Sequence, residues 1–333
     1  MAEEIAPHLY RLPVPLGNNP LGAVNAYAVP SEDGILLIDC GWDTPESYAA
    51  MRRELGPWGG IEAVRYIVIT HIHPDHFGLA ARIAEESGAR VAMHPLEAER
   101  VVTRYEDTAE LVEAMDGWLR RHGVPEGELH AMTEGSLQML ERVGTRRPDD
   151  FLEGGEVLHW GPYAFDVHWM PGHSAGLLVL HDQSSGILLS SDHILERISP
   201  HVGMHVQSPE DPLGDYLRSL RRTEDLRVSL VAPGHGKPFS GISDRIAELR
   251  QHHDERMDEM QSILAQGAET AYDVAPNLRW RGSERGWSRL EPFQRRMAMT
   301  ETIAHLEHMA LLGGIECVDV SGVNHYGPAS KRR

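Results

Sequence analysis

Short apolar runs separated by turn residues dominate the first half of the chain. Leu9 to Val14, Ala23 to Val29 and Gly34 to Asp39 read as opening strands, with the turn-rich Gly17-Asn18-Asn19-Pro20 between the first two. A helix is expected at about residues 44 to 55. Val64 to Ile69 is a β-branched, apolar stretch typical of a buried strand; a helix over Phe77 to Ser87 and a strand over Arg90 to Met93 complete a β-loop-α-β unit. Phe165 to Met170, Ile187 to Ser190 and Val228 to Ala232 read as three further strands. Beyond residue 241 the period changes: Ile242, Ile246, Leu249, His253, Met257, Met260 and Leu264 recur every three or four positions, the stripe of one amphipathic helix. Helices over Thr270 to Leu278 and Phe293 to Leu312 follow, then a hairpin of Ile315 to Val320 and Gly322 to Tyr326. The outline is a layered α/β protein with a helical C-terminal part.

Onto this pattern the chemistry falls at strand ends. Thr70-His71-Ile72-His73-Pro74-Asp75-His76 sits on the loop that leaves the Val64 to Ile69 strand, where layered α/β proteins place their active sites. In extended chain, residues two apart point the same way, so His71 and His73 can share one cation; Asp75 and His76 lie past the proline and can face a second. A catalytic cation needs three or four protein ligands, so the loop is incomplete alone. Pro171-Gly172-His173-Ser174, Ser191-Asp192-His193 and Pro233-Gly234-His235-Gly236 each follow one of the three later strands and bear a His or Asp, and in two of them a glycine permits the sharp turn that aims an imidazole inward. A surface histidine-rich loop would account for residues 71 to 76 by themselves, but not for three downstream turns of the same build. His94, His193, His201 and His205 read as packing residues or as support behind the ligands.

With these motifs the chain resembles the metallo-β-lactamase superfamily over roughly residues 8 to 240, in particular its hydrolase branch with a glyoxalase II-like two-metal site. The resemblance implies His71, His73 and His173 around the first metal, Asp75, His76 and His235 around the second, and Asp192 bridging both. The early Asp39-Cys40-Gly41 turn then supports the metal loop rather than binding metal. The implied fold is a four-layer αββα sandwich over residues 1–240, with a helical insert at about 96–144 and a small, mainly helical, winged-helix-like C-terminal domain over 241–333. Tyr105, Leu111, Met115, Trp118, Leu119, Met132, Leu137, Met139 and Leu140 of the insert are expected chiefly to pack it onto the scaffold, a few of them lining a pocket for an apolar substrate portion.

The implied activity is hydrolysis of a carbonyl ester, thioester or lactone by a hydroxide held between two divalent cations, with Asp75 orienting it and Asp192 setting the intermetal distance. Imidazole and carboxylate ligands suit Zn2+ best, with Fe and Mn as alternatives. Two other activities of similar chains compete: RNA cleavage, as in lactamase-beta-like endoribonucleases, and an iron-dependent persulfide dioxygenase reaction. Arg279, Arg281, Arg285, Arg289, Arg295 and Arg296 form the one locally basic run that favours RNA.

Composition narrows the choice. A formal charge of −19 over 333 residues disfavours nucleic acid, phospholipid and other strongly anionic partners over most of the surface, leaving a small-molecule substrate. Cys40 and Cys317 are too few for a disulfide framework, and no apolar run approaches the roughly 20 residues that span a bilayer. A cytoplasmic protein without membrane partners is expected, with homodimerisation through the C-terminal helices open.

Overall fold

The computed structural model describes residues 1–106, 108–140, 142–280 and 286–329, with the backbone alone over 135–140. Leu137, Met139 and Leu140 of the insert, and Arg281 and Arg285 of the basic run, therefore lie outside the described side chains.

The first sheet has seven strands in chain order: β1 (Glu3–Ala6), β2 (Leu9–Pro15), β3 (Ala23–Ser31), β4 (Gly34–Ile38), β5 (Val64–Val68), β6 (Arg90–Met93) and β7 (Asp150–Phe151). It is antiparallel through β4 and parallel beyond. The second sheet runs β12 (Leu230–Pro233), β11 (Ile187–Ser191), β10 (Leu178–Asp182), β9 (Tyr163–Trp169), β8 (Val157–Trp160), with only the β11–β12 pair parallel. Strand β4 explains how the sheets meet. Ile35 and Leu37 point into a cluster with Met51, Leu55, Ile83 and Val91, whereas Leu36 and Ile38 point into a second with Phe165, Val167, Leu180 and Leu189. A strand buried on both faces must be apolar throughout, which is why Gly34–Ile38 shows no polar alternation. Each fully buried Leu, Ile or Phe contributes roughly 1.5–3 kcal/mol, and the inter-sheet cluster is the layer that joins the two sheets.

Helices α1 (Pro45–Leu55) and α3 (Ala80–Ser87) cover the outer face of the first sheet. Thr44 caps α1, its hydroxyl accepting from Ser47 N at 3.2 Å. Between the strands and α3 stands a single turn, α2 (Pro74–Phe77), which starts at the proline of the histidine-rich loop. On the second sheet, residues 219–224, the C-terminal half of α7 (Pro212–Glu224), bond to the strand ends: Ser219 Oγ donates to Pro171 O at 2.8 Å. The architecture is the four-layer αββα sandwich.

The chain forms two compact units. One comprises residues 1–106, 139–200 and 219–246, and the other 107–138, 201–218 and 247–333. This differs from the boundary at 240 read from the sequence: most of the insert belongs with the C-terminal helices. Its helices α5 (Ala109–Arg121) and α6 (Glu126–Leu140) place Leu119, Val124, Leu129 and Met132 in one core with Met260, Leu264, Met299, Ile303 and Leu306. Those partners come from α8 (Ile242–Ala265) and α10 (Pro292–Leu311), and the short α9 (Ala271–Val274) adds Ala271 and Val274. An apolar stripe states that a helix buries a face, not against which segment. Trp118, expected near a substrate pocket, is packed against this helical core, its ring 4.6 Å from that of His122. The hairpin of β13 (Ile315–Val320) and β14 (Val323–Pro328) closes the unit as the period predicts. The start of the insert, α4 (Pro95–Val101) and a π-helical turn (Val102–Glu106), stays with the sandwich.

Candidate metal centre

Pro74 organises the histidine loop. A residue before proline is kept out of the helical region, and His73 is extended at φ −61° and ψ 146°, while Asp75 and His76 ride on the helical turn that Pro74 begins. The two halves of the motif thus diverge, as the spacing requires. His71 Nε2 lies 3.0 Å from His73 Nδ1, and His173 Nε2 lies 3.2 and 2.9 Å from these two nitrogens. Three lone-pair-bearing nitrogens gathered this closely have room for one cation among them. On the other side, His235 Nε2 is 3.3 Å from Asp75 Oδ2. Asp192 Oδ2 stands between the two sets, 3.5 Å from the Nε2 atoms of His76, His173 and His235.

All seven residues leave the carboxyl ends of strands: β5 carries the first four, β9 His173, β11 Asp192 and β12 His235. Gly234 is required by closeness. A Cβ there would fall on the Asp192 carboxylate and 2.9 Å from His76 Cε1, so only glycine lets β12 pass behind the centre. Asp39 and Ser191, at φ 58° and 48°, adopt left-handed backbone at the ends of β4 and β11. Both serve the site. Asp39 accepts from Thr70 N and from the Thr70 hydroxyl, at 2.9 and 2.8 Å, and from His76 Nδ1 at 2.7 Å. With its own proton given to Asp39, Thr70 Oγ1 receives the Nδ1–H of His71 at 3.1 Å and the Ser191 hydroxyl at 2.7 Å. His235 Nδ1 donates to Ala23 O at 2.9 Å. These bonds fix the tautomers of His71, His76 and His235 so that each Nε2 faces the centre.

The centre suits cations. His76 Nε2, His235 Nε2 and Asp192 Oδ1 are buried and make no well-formed hydrogen bond, the two nitrogens only approaching carboxylates at 3.3–3.5 Å, an arrangement that leaves room for a cation among them. His71, His73 and His173, and separately Asp75, His76 and His235, form groups compact enough to hold a metal ion. Burial, then the neighbouring imidazoles, hold His71 and His73 well below the ordinary histidine value, so both are neutral ligands at pH 7. For His76 and His235 burial also disfavours charge, but Asp192, with Asp39 beside His76 and Asp75 beside His235, outweighs it; His76 rises well above the ordinary value and His235 to about 10. Protons there occupy the positions a second cation would take.

Two residues not singled out in the sequence complete the site. Glu97, fully buried on α4, accepts from Ile72 N at 3.0 Å, from Gly176 N at 2.7 Å and from the Ser174 hydroxyl, clamping the histidine loop to the His173 turn. Arg104, in the π-helical turn, is close enough that its charge lowers His73. Neither a lone glutamate nor a lone arginine in a helical segment signals such a role. Tyr105 beside it donates its hydroxyl to Ile72 O. His193 is buried, with Nε2 2.8 Å from Thr223 Oγ1, and His94 caps α4 through Leu96 N. Of the basic run, Arg295 is paired with Glu128 at 2.6 Å and Arg296 reaches Met115 Sδ at 3.3 Å.

A family model described as the metallo-beta-lactamase superfamily matches residues 19–235. The chain belongs to the metallo-beta-lactamase superfamily. Among relatives, a probable metallo-hydrolase YqjP of Bacillus subtilis is 27% identical over 289 residues, 80% of this chain and 83% of that one. The acyl-coenzyme A thioesterase MBLAC2 of Bos taurus is 30% identical over 191 residues, 56% of this chain and 60% of that protein. The crystal structure of the metallo-beta-lactamase family protein TTHA1429 from Thermus thermophilus is similar at TM-score 0.83 and 32% identity, covering 97% of this chain and 99% of that one. A beta-lactamase domain protein from Burkholderia ambifaria follows at TM-score 0.78 and 28% identity, covering 98% and 95%. The chain is accordingly a hydrolase of this superfamily. No described helix is long and apolar enough to cross a membrane.

Proposed function

We propose that this superfamily member is a zinc-dependent hydrolase of acyl thioesters, with two cations held by His71, His73 and His173 and by Asp75, His76 and His235, and shared by Asp192. The observation that carries the hydrolytic reading is the convergence of two three-residue ligand sets on one carboxylate, with orphaned buried donor atoms between them. When bound, such a pair of cations supplies Lewis acidity that activates water and polarises a carbonyl. The chain's own residues supply the rest. Asp192 holds the two ligand sets at a fixed separation, Asp75 is placed to accept a proton beside His235, and the Asp39–Thr70–Ser191 network keeps the imidazoles in their metal-binding tautomers. Arg104 brings positive charge beside His73, which suits an anionic substrate portion.

Among carbonyl substrates, acyl thioesters are favoured by the 30% identity to a protein named an acyl-coenzyme A thioesterase, although the match spans only 60% of that relative. The net charge of −19 and the engagement of Arg295 with Glu128 weigh against RNA as substrate. The deciding experiment is a substrate panel with metal-replete protein: acyl-coenzyme A thioesters of several chain lengths, aryl esters, lactones, bis-p-nitrophenyl phosphate and single-stranded RNA. Turnover greatest on thioesters, with zinc bound, is expected. Preferential RNA cleavage, or a preparation holding one iron and no zinc, would overturn the assignment.

A further inference from the structure

A second group of metal-binding side chains lies outside this centre, on the outer face of the β9–β10 hairpin. Asp166 and His168 are two apart on β9 and share a face; the residues between and beside them, Phe165 and Val167, fill the inter-sheet core, so Asp166 and His168 point away from it. Antiparallel pairing sets His181 of β10 directly opposite Asp166 and brings Val179 opposite His168. Ligand atoms of Asp166, His168 and His181 all lie within 4.8 Å of one another.

The imidazoles are prepared for a cation. His181 is 2% exposed, and its Nε2 lies 3.1 Å from the Arg227 carbonyl, which can only accept; Nε2 therefore carries the proton and Nδ1 the lone pair. That Nδ1 is buried and has no hydrogen-bond partner, and neither has His168 Nε2. A ligating histidine commonly has its other ring nitrogen anchored on a backbone carbonyl in this way. Burial, with the neighbouring His181 and Arg222, holds His168 below the ordinary histidine value and hence neutral. Asp166 is oriented by Gln183, whose Nε2 donates to Oδ2 at 2.7 Å. The guanidinium of Arg222, whose charge reaches His168, is anchored by donating to Trp169 O at 3.0 Å, while Asp166 supplies the compensating negative charge.

We propose that Asp166, His168 and His181 form an additional site for a divalent transition metal, zinc being the natural occupant of two imidazoles and a carboxylate. Three protein ligands leave positions for water. Because Asp166 and His168 stand on β9 and His181 on β10, a bound ion cross-links the hairpin whose first strand leads into the His173 turn.

The test compares zinc content between proteins, so it does not depend on how many ions the main centre holds. Chelator-stripped wild type and His168→Ala/His181→Ala are each dialysed against the same buffered free Zn2+, and zinc per chain is measured by elemental analysis. One zinc fewer in the double variant is expected, together with a smaller rise in melting temperature on adding Zn2+. Equal zinc content in the two proteins overturns the proposal. Should the double variant fail to fold, Asp166→Asn and His168→Gln give the same comparison, since both positions are only half-buried; each is expected to lower the additional zinc while hydrolysis at the main centre persists.

Discussion

Glu97 offers the sharpest test of how this centre is built, because it touches no proposed ligand yet ties two ligand-bearing loops together. Its side chain is fully buried and receives three donors: Ile72 N between His71 and His73, and Ser174 Oγ and Gly176 N just after His173. Hydrogen bonds to a charged acceptor contribute about 1.5–3 kcal/mol each, and a buried N–H stripped of its acceptor costs about 1–3 kcal/mol. The terms share one carboxylate and do not simply add, so Glu97→Ala is expected to cost about 3–5 kcal/mol, as loss of a buried polar network does. Glu97→Gln keeps the volume and one acceptor oxygen but turns an amide N–H2 toward donors; about 1.5–3 kcal/mol is expected. Urea unfolding of metal-free protein measures both, with the midpoint shift multiplied by the slope giving the free-energy change. Metal-free protein is the right state, because bound metal adds its own stabilisation by mass action, and a variant that binds it less tightly would lose part of that as well. The alanine variant should also retain less zinc after dialysis, since the loop carrying His71 and His73 is no longer clamped to the His173 turn. An unchanged midpoint with full zinc content would refute the clamp and reduce Glu97 to a packing residue.

Other expectations follow from single observations. Gly234→Ala places a methyl on the Asp192 carboxylate and against His76; metal content and turnover should both fall at least tenfold, and wild-type values for both would show that β12 can shift to make room. Asp192→Asn, which weakens the charge shared by both ligand sets, should lower zinc content and abolish most hydrolysis, whereas His193→Ala should retain a measurable fraction because His193 faces Thr223; comparable losses would contradict the different placement of the neighbours. In the helical unit, burial raises the Glu301 carboxyl, but His201 at 3.2 Å and His305 more than compensate and bring it to about 2. Its folded value lies below the unfolded one of about 4.3, so its stabilisation is present above that pH and is lost as pH falls through about 2, on the order of 3 kcal/mol in all. Acid unfolding of Glu301→Gln should therefore be the shallower of the two, and parallel profiles for variant and wild type would rule this out.

Much of the sandwich was legible in the sequence, because strand period, proline and glycine are local signals, and the seven candidate positions could be named where apolar runs end only with the help of the superfamily resemblance. His71, His73, Asp75 and His76 are readable as a motif; His173, Asp192 and His235 are readable only as three turns of like build. Tertiary structure alone decided that their donors meet around Asp192, since that depends on two sheets packing through the inter-sheet cluster. It also decided what no local pattern encodes. Strand β10, helix α7 and the role of Glu97 were not read from the sequence, and most of the insert groups with the C-terminal helices rather than with the sandwich, for the same reason in each case. Periodicity reports that a face is buried; the partner that buries it lies tens to hundreds of residues away. The Asp166–His168–His181 cluster is the clearest instance: Asp166 and His168 are two apart on one strand, but the third member is supplied by the register of β9 on β10.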